Sequence, residues 1–308
     1  MSSTDVNGRS LSIGDVSLWV QEAGPTDGDA ILLVAGANAS GLMWPDNLVN
    51  LLAAKGFRVI RYDHRDTGRS THRPFDDYPY SVEDLASDAL GVLNGLGIER
   101  AHVVGLSMGG TIGQVLALDH PERLASLTLM LTAALDVDFA SNYERAMSGE
   151  VLADGLPTPR PDVVAQLRRM FTPGRTLEEE VQRRVEQWRM LAGRVLPFPE
   201  EEFRQQELAA IEHAGSFIPP TSHARARPVP TTRGAELPRL TTPTLVIQGT
   251  EDPLNPPPHG AHLAALIPCA TLAEICGMGH ALPRAVHQEI SQLIIRHARR
   301  HPPPNTRE

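Results

Sequence analysis

Four short segments constrain this chain more than any other feature. Ala30 to Val34 (AILLV), Arg58 to Tyr62 (RVIRY), Ala101 to Val104 (AHVV) and Ser126 to Leu131 (SLTLML) are apolar runs that do not alternate with polar residues. A strand with one wet face alternates. A strand that is apolar in both directions must be covered on both faces, which is the condition of a parallel sheet between helices. The intervening segments supply those helices: Pro45 to Ala54, Ser81 to Leu93 and Met108 to Asp119 carry apolar residues at helical spacing. Pro45 is well placed for a first helical position, where its missing N–H costs nothing. Upstream, Leu11 to Val20 reads as a hairpin turning at Gly14-Asp15. The pattern predicts an α/β fold with a mostly parallel central sheet flanked by helices.

The strand pattern stops at about Leu135 and resumes after Leu240. We expect the core in two parts, 1–134 and 241–298, with an inserted helical cap over 135–240. Within the cap Leu177, Val181, Val185, Trp188 and Leu191 recur at three and four residues and form one apolar stripe. Glu178, Glu179 and Glu180 lie opposite and read as a solvated face. The proline-rich stretch Pro219 to Pro230 leads out of the cap. Strands follow at Thr244 to Gln248 and Thr271 to Ile275, separated by a helix from Pro258 to Leu266. Pro302, Pro303 and Pro304 cannot continue a helix, so 299–308 is expected to be a disordered tail.

Composition narrows the function classes. With 28 basic against 37 acidic side chains and a formal charge of -9, the chain has no basic surplus to neutralise a phosphate backbone, and no nucleic-acid partner is expected. No apolar run approaches the 18 or more residues that cross a bilayer. Met1 to Gly14 lacks the charged and apolar regions of a signal peptide, so a soluble cytoplasmic protein without a membrane partner is expected. Cys269 and Cys276 flank a strand at an odd spacing that turns them to opposite faces, so no disulfide is expected between them.

Gly105-Leu106-Ser107-Met108-Gly109 fits G-x-S-x-G at the point where the run Ala101 to Val104 hands over to a helix. A serine on such a turn holds a strained backbone with its hydroxyl pushed outward, and the positions two before and two after it must be nearly free of side chain. The helix N-terminus beside it favours developing negative charge. A serine hydroxyl needs a base, and the base needs an orienting acid. In this arrangement they come in the order acid then histidine, each after a late strand. Asp252 in Gly249-Thr250-Glu251-Asp252-Pro253 is the candidate acid, with Glu251 as the alternative, and His280 in Gly277-Met278-Gly279-His280 is the candidate base. His259, His262 and His287 read as surface or packing residues.

The oxyanion formed by attack needs two donors, and the backbone N–H groups of Met108 and Ala37 are the candidates. Asn38 is expected to hold that loop by local hydrogen bonds, with a catalytic amide as the alternative. The charged cluster from Arg61 to Ser70 reads as ion-pair scaffolding around the turn at Gly68 rather than as a metal or phosphate site. No P-loop, dinucleotide glycine pattern, H-E-x-x-H or C-x-x-C is present, so neither metal nor cofactor is expected.

With Ser107, Asp252 and His280 in place, the chain resembles the α/β-hydrolases. The phrases RYDHRDTGRST (61–71), ERAHVVGLSMGG (99–110), ALDHPERLASLTLML (117–131) and ICGMGHALP (275–283) closely resemble the anthracycline-pathway methylesterases of the aclacinomycin methylesterase type. The resemblance implies a Ser107–His280–Asp252 triad, an oxyanion hole at Ala37 and Met108, and hydrolysis of the carbomethoxy ester of an aromatic polyketide through an acyl-enzyme. Decarboxylation would follow where the freed carboxyl is β to a carbonyl. The partner is then a small hydrophobic ester. The oxyanion loop, Ala35-Gly36-Ala37-Asn38, departs from the wider superfamily in lacking the His-Gly opening. It carries alanine where the relatives tend to carry glycine. Within the same fold, the alternatives are another ester, a lactone, a thioester, or a ligand-binding relative without turnover.

Overall fold

The computed structural model describes residues 8–150, 155–169 and 172–303. The chain opens with a hairpin, β1 (Arg9–Ile13) and β2 (Val16–Ala23), turned at Gly14, whose φ of 58° suits glycine. β3 (Ala30–Val34), α1 (Asp46–Ala53), β4 (Arg58–Tyr62), α2 (Val82–Gly95), β5 (Ala101–Leu106), α3 (Met108–Asp119) and β6 (Leu124–Met130) then alternate. Ser81 starts α2 with a capping box, its hydroxyl taking the Asp84 N–H while the Asp84 carboxylate takes the Ser81 N–H. The helices α4 (Phe139–Ser148), α5 (Pro161–Arg169), α6 (Leu177–Leu191) and α7 (Glu200–Ala214) intervene before β7 (Thr244–Gly249). The chain then forms α8 (His259–Leu266), β8 (Ala270–Ile275) and α9 (Arg284–Arg300).

The eight strands form one sheet in the order β1-β2-β4-β3-β5-β6-β7-β8. β2 is antiparallel to both its neighbours, and every pairing from β4 to β8 is parallel. β3, β5 and β6 are buried along their whole length, which is what their unbroken apolar runs require. One face is covered by α2, α3 and α8 through residues such as Leu85, Ile112 and Leu263. The other is covered by α1 and α9 through Leu48, Leu52, Ile290 and Ile294. Because the strands from β4 to β8 run the same way, the loops after β3, β5, β7 and β8 gather at one edge.

Some expectations need correction. Helix α9, the helical stretch expected around His287, follows His280, and its stripe Val286, Ile290, Ile294 and Ala298 is buried against the sheet. It also runs to Arg300, two residues into the expected tail, before His301 and Pro302 end it. The residues from 304 onward lie outside the described ones. In α6, Val181 and Val185 pack on Ile211 of α7 as the stripe predicts, whereas Leu177, first in the helix after its Thr176 cap, is exposed. Glu180 is not solvated. It is fully buried and takes hydrogen bonds from Arg183, Arg184 and the Gly174 N–H, so no uncompensated charge is left inside. Burial pushes its carboxyl up, but these donors outweigh that and leave it below the usual glutamate value. Both cysteines are free. Among the described residues no helix is long and apolar enough to cross a membrane.

Candidate active site

Ser107 joins the end of β5 to the start of α3 with φ 57° and ψ −121°. A non-glycine residue with that φ is strained, and the surroundings hold it there. The Ser107 N–H donates to the Met130 carbonyl at 2.9 Å, and its own carbonyl accepts from the Gly110 and Thr111 N–H groups. A Cβ on Gly105 would fall 2.1 Å from the Gly109 carbonyl oxygen, and one on Gly109 would fall 2.2 Å from that of Val34. Both glycines are therefore dictated by close backbone approach. Met108 opens α3, so its N–H has no intrahelical acceptor and remains available.

Two loops away, His280 Nδ1 lies 3.0 Å from each carboxylate oxygen of Asp252, with the Asp252 side chain fully buried and that of His280 6% exposed. A carboxylate can only accept, so Nδ1 carries the proton and Nε2 is left with its lone pair. Asp252 Oδ1 also takes the N–H groups of Leu254 and Asn255, which fixes the carboxylate in its turn. Asp252, not Glu251, thus meets the histidine. The His280 N–H donates to the Leu191 carbonyl at the end of α6 at 2.6 Å. A Cβ on the preceding Gly279 would lie 2.3 Å from that same oxygen, so only glycine lets the loop approach the helix end. Among the described residues no hydrogen bond joins the Ser107 hydroxyl to His280. Catalytic hydrogen bonds are commonly long in unliganded enzymes and tighten around substrate.

The loop after β3 passes beside the serine: a Cβ on Gly36 would lie 3.5 Å from Ser107 Cβ. Ala37 is exposed at this edge. Asn38 has φ 59°, a conformation asparagine tolerates. Its side chain makes a long-range contact instead of the expected local one. Oδ1 accepts the His223 N–H at 3.2 Å, while the Asn38 N–H donates to His223 Nδ1 at 2.8 Å. The side-chain oxygen and the backbone N–H both serve as anchors to His223.

The Arg61 to Ser70 cluster holds as scaffolding: Arg61 pairs with Asp46 and Arg65 with Asp88, at 2.6 and 2.7 Å. Asp63, fully buried, accepts from the Gly41 and Arg69 N–H groups and from His213 Nε2 of α7 at 2.7 Å. His259 and His287 are buried with carbonyl partners, and His262 pairs with Asp136, as packing and surface residues do. His213 and His223 come from the insertion and had no signal in the sequence, since their partners lie about 150 residues or more upstream.

A serine on a strained strand-to-helix turn, followed by an acid after β7 and a histidine after β8, is the layout of a serine hydrolase. The family model described as alpha/beta hydrolase fold matches residues 29–283, and the chain belongs to that family. It is 49% identical over 291 residues to rhodomycin D methylesterase of Streptomyces peucetius, covering 94% of this chain and 98% of the relative. The rhodomycin D methylesterase of Streptomyces sp. (strain C5) matches with the same identity and coverage. Among solved structures, a hydrolase from Pseudomonas aeruginosa PA01 superposes with a TM-score of 0.67 at 27% identity, covering 95% of this chain and 98% of that one. The resemblance to anthracycline methylesterases is borne out, and the chain is a carboxylic ester hydrolase.

Proposed function

We propose that this protein hydrolyses the carbomethoxy ester of an anthracycline-like aromatic polyketide by a Ser107–His280–Asp252 acyl-enzyme mechanism. The observation that carries the proposal is the buried Asp252–His280 pair, with Nδ1 at 3.0 Å, at the same sheet edge as the strained Ser107 turn. Near-full-length identity to two rhodomycin D methylesterases supports the substrate class. His280 Nε2 takes the Ser107 proton as Oγ attacks the ester carbonyl, and Asp252 stabilises the imidazolium that forms. The backbone N–H groups of Met108 and Ala37 stabilise the tetrahedral oxyanion. The intermediate collapses, methanol leaves with the proton returned by His280, and a water activated by the same ring frees the acid. An acid released β to a carbonyl loses CO₂ with no further residue required.

In this reading the parts 1–134 and 241–298 carry the chemistry, and 135–240 is the cap that selects the substrate. The enzyme is cytoplasmic, its partner is a small hydrophobic ester, and the mechanism uses no cofactor. The test is mass-spectrometric turnover of glycosylated and aglycone methyl-ester polyketides beside short p-nitrophenyl esters. Release of methanol and acid from the polyketide, with kcat reduced about a millionfold in Ser107→Ala, is the expected result. Preference for the short esters, or a Ser107→Ala variant that still turns over, overturns the reading.

A further inference from the structure

Two buried histidines outside the triad bracket the loop that carries Ala37. His64, fully buried just after β4, has Nε2 3.1 Å from the Ala35 carbonyl. His223, buried in the segment leading out of the insertion, accepts the Asn38 N–H on Nδ1 at 2.8 Å. The two rings meet edge to face, with centroids 5.4 Å apart. Their partners define both tautomers. A carbonyl can only accept, so His64 Nε2 carries its proton. An N–H can only donate, so His223 Nδ1 is bare and the proton sits on Nε2, which donates to the Arg65 carbonyl at 3.0 Å. Both rings are neutral in this arrangement, because a protonated His223 would offer two donors and could not accept from Asn38. Burial pushes His64 down to about 4 and His223 down to about 3, which keeps them so.

We propose that His223, backed by His64, is a positioning residue for the oxyanion hole: by fixing Asn38 and Ala35 on either side of Gly36-Ala37, the pair aims the Ala37 N–H at the substrate oxygen. The inference rests on the reading above, in which Ala37 is one of two oxyanion donors. The contact is reciprocal, since the His223 N–H also donates to Asn38 Oδ1, so the positive-φ conformation of Asn38 is held from both ends. Neither ring is assigned any contact with substrate. Its effect runs through a backbone donor whose worth depends on direction, and removing such a donor outright lowers kcat by about 10² to 10³.

The experiment uses the conservative replacements to separate the two ring nitrogens. Asparagine places its amide oxygen on Cγ, where Nδ1 was, and can still accept from Asn38. Glutamine places its amide one atom further out, where Nε2 was, and can hold only Arg65. On a short p-nitrophenyl ester, His223→Ala is expected to lower kcat about 10- to 100-fold with KM changed less than about threefold. His223→Asn restores most of that loss and His223→Gln does not. The inhibition constant of an aryl trifluoromethyl ketone, which forms a tetrahedral adduct on Ser107, rises by the same factor as kcat falls. Asn38→Gly, which tolerates the same backbone but loses the Oδ1 contact, moves kcat in the same direction and keeps the test open if His223→Ala does not fold. Fluorophosphonate labelling of Ser107 and the Ser107→Ala control are run first. If Ser107 is not labelled or not needed, the functional reading itself fails. If Ser107 is labelled and needed, yet His223→Ala keeps kcat within about twofold or is rescued equally by Gln and Asn, only the positioning role fails.

Discussion

The carboxyl edge of the sheet and the helical insertion between β6 and β7 are held by different physics. At the sheet edge each functional group stands on a turn whose shape is enforced by backbone crowding: Gly105 and Gly109 around Ser107, and Gly279 before His280. In the insertion the shape is enforced by paired charge and stacked rings. Glu180 is buried under Arg183 and Arg184, and Trp188 stacks on Phe203 at 5.5 Å while its Nε1 donates to Glu207. The stripe residue Trp188 thus packs the insertion on itself, and its half-buried ring is one layer of a stack continued by Phe198. The difference teaches where damage should appear. Changes at the edge, or at the His223 contact that holds its loop, alter the rate in a protein that still folds, and changes in the packed α6–α7 layer of the insertion alter stability first.

The sharpest break of that contrast is at the acid. Asp252→Asn is expected to lower kcat about 10⁴-fold, because the His280 tautomer is no longer specified, while leaving the melting temperature close to that of the parent. Glu251→Gln, one residue away, should stay within about threefold of the parent in the same assay. The reverse ranking would move the acid to Glu251. In the insertion, Glu180→Ala leaves Arg183 and Arg184 facing a buried gap, and chemical denaturation should show a loss of about 3 to 5 kcal/mol. Below that comes Trp188→Ala, at about 2 to 3 kcal/mol, since its ring is half-buried. If Trp188→Ala keeps its melting temperature but loses turnover of a polycyclic ester far more than of a short one, Trp188 is a substrate contact and the division between the regions fails there.

The effect of pH is the smallest near neutrality, grows on acidification, and crosses both regions. His64, His102 and His223 are each pushed well below 6.5 in the folded chain, first of all by burial. The unfolded chain therefore binds more protons as pH falls, and the stability these neutral rings contribute is complete above about 6.5 and declines from there towards 4. At pH 6.5 the loss is about 0.4 kcal/mol for each histidine, since half of the unfolded rings are protonated. Melting curves taken from pH 8 down to pH 5 should fall monotonically, and His223→Asn should flatten part of that slope. A melting temperature that rises on acidification would show that these rings are not buried neutral.

What the sequence determined by itself was everything written in short spacings. The unbroken apolar runs placed β3 and β4 residue for residue, because a strand covered on both faces has no alternative pattern. The two glycines around Ser107 announced the turn, because a backbone at that angle leaves no room for side chains. Asp252 and Glu251 were not separable in the same way, since adjacent carboxylates in one loop look alike until the carboxylate facing His280 is known. Nor was Glu180 legible, because a run of glutamates on a helix is solvated by default and only the arginines folded over it make burial possible. The partners of the histidines at 64 and 223 complete the remainder. The tertiary structure decided which face of α9 met the sheet, and it brought Asn38 to His223 across 185 residues of sequence. Such contacts depend on where distant elements meet, and no local spacing encodes that.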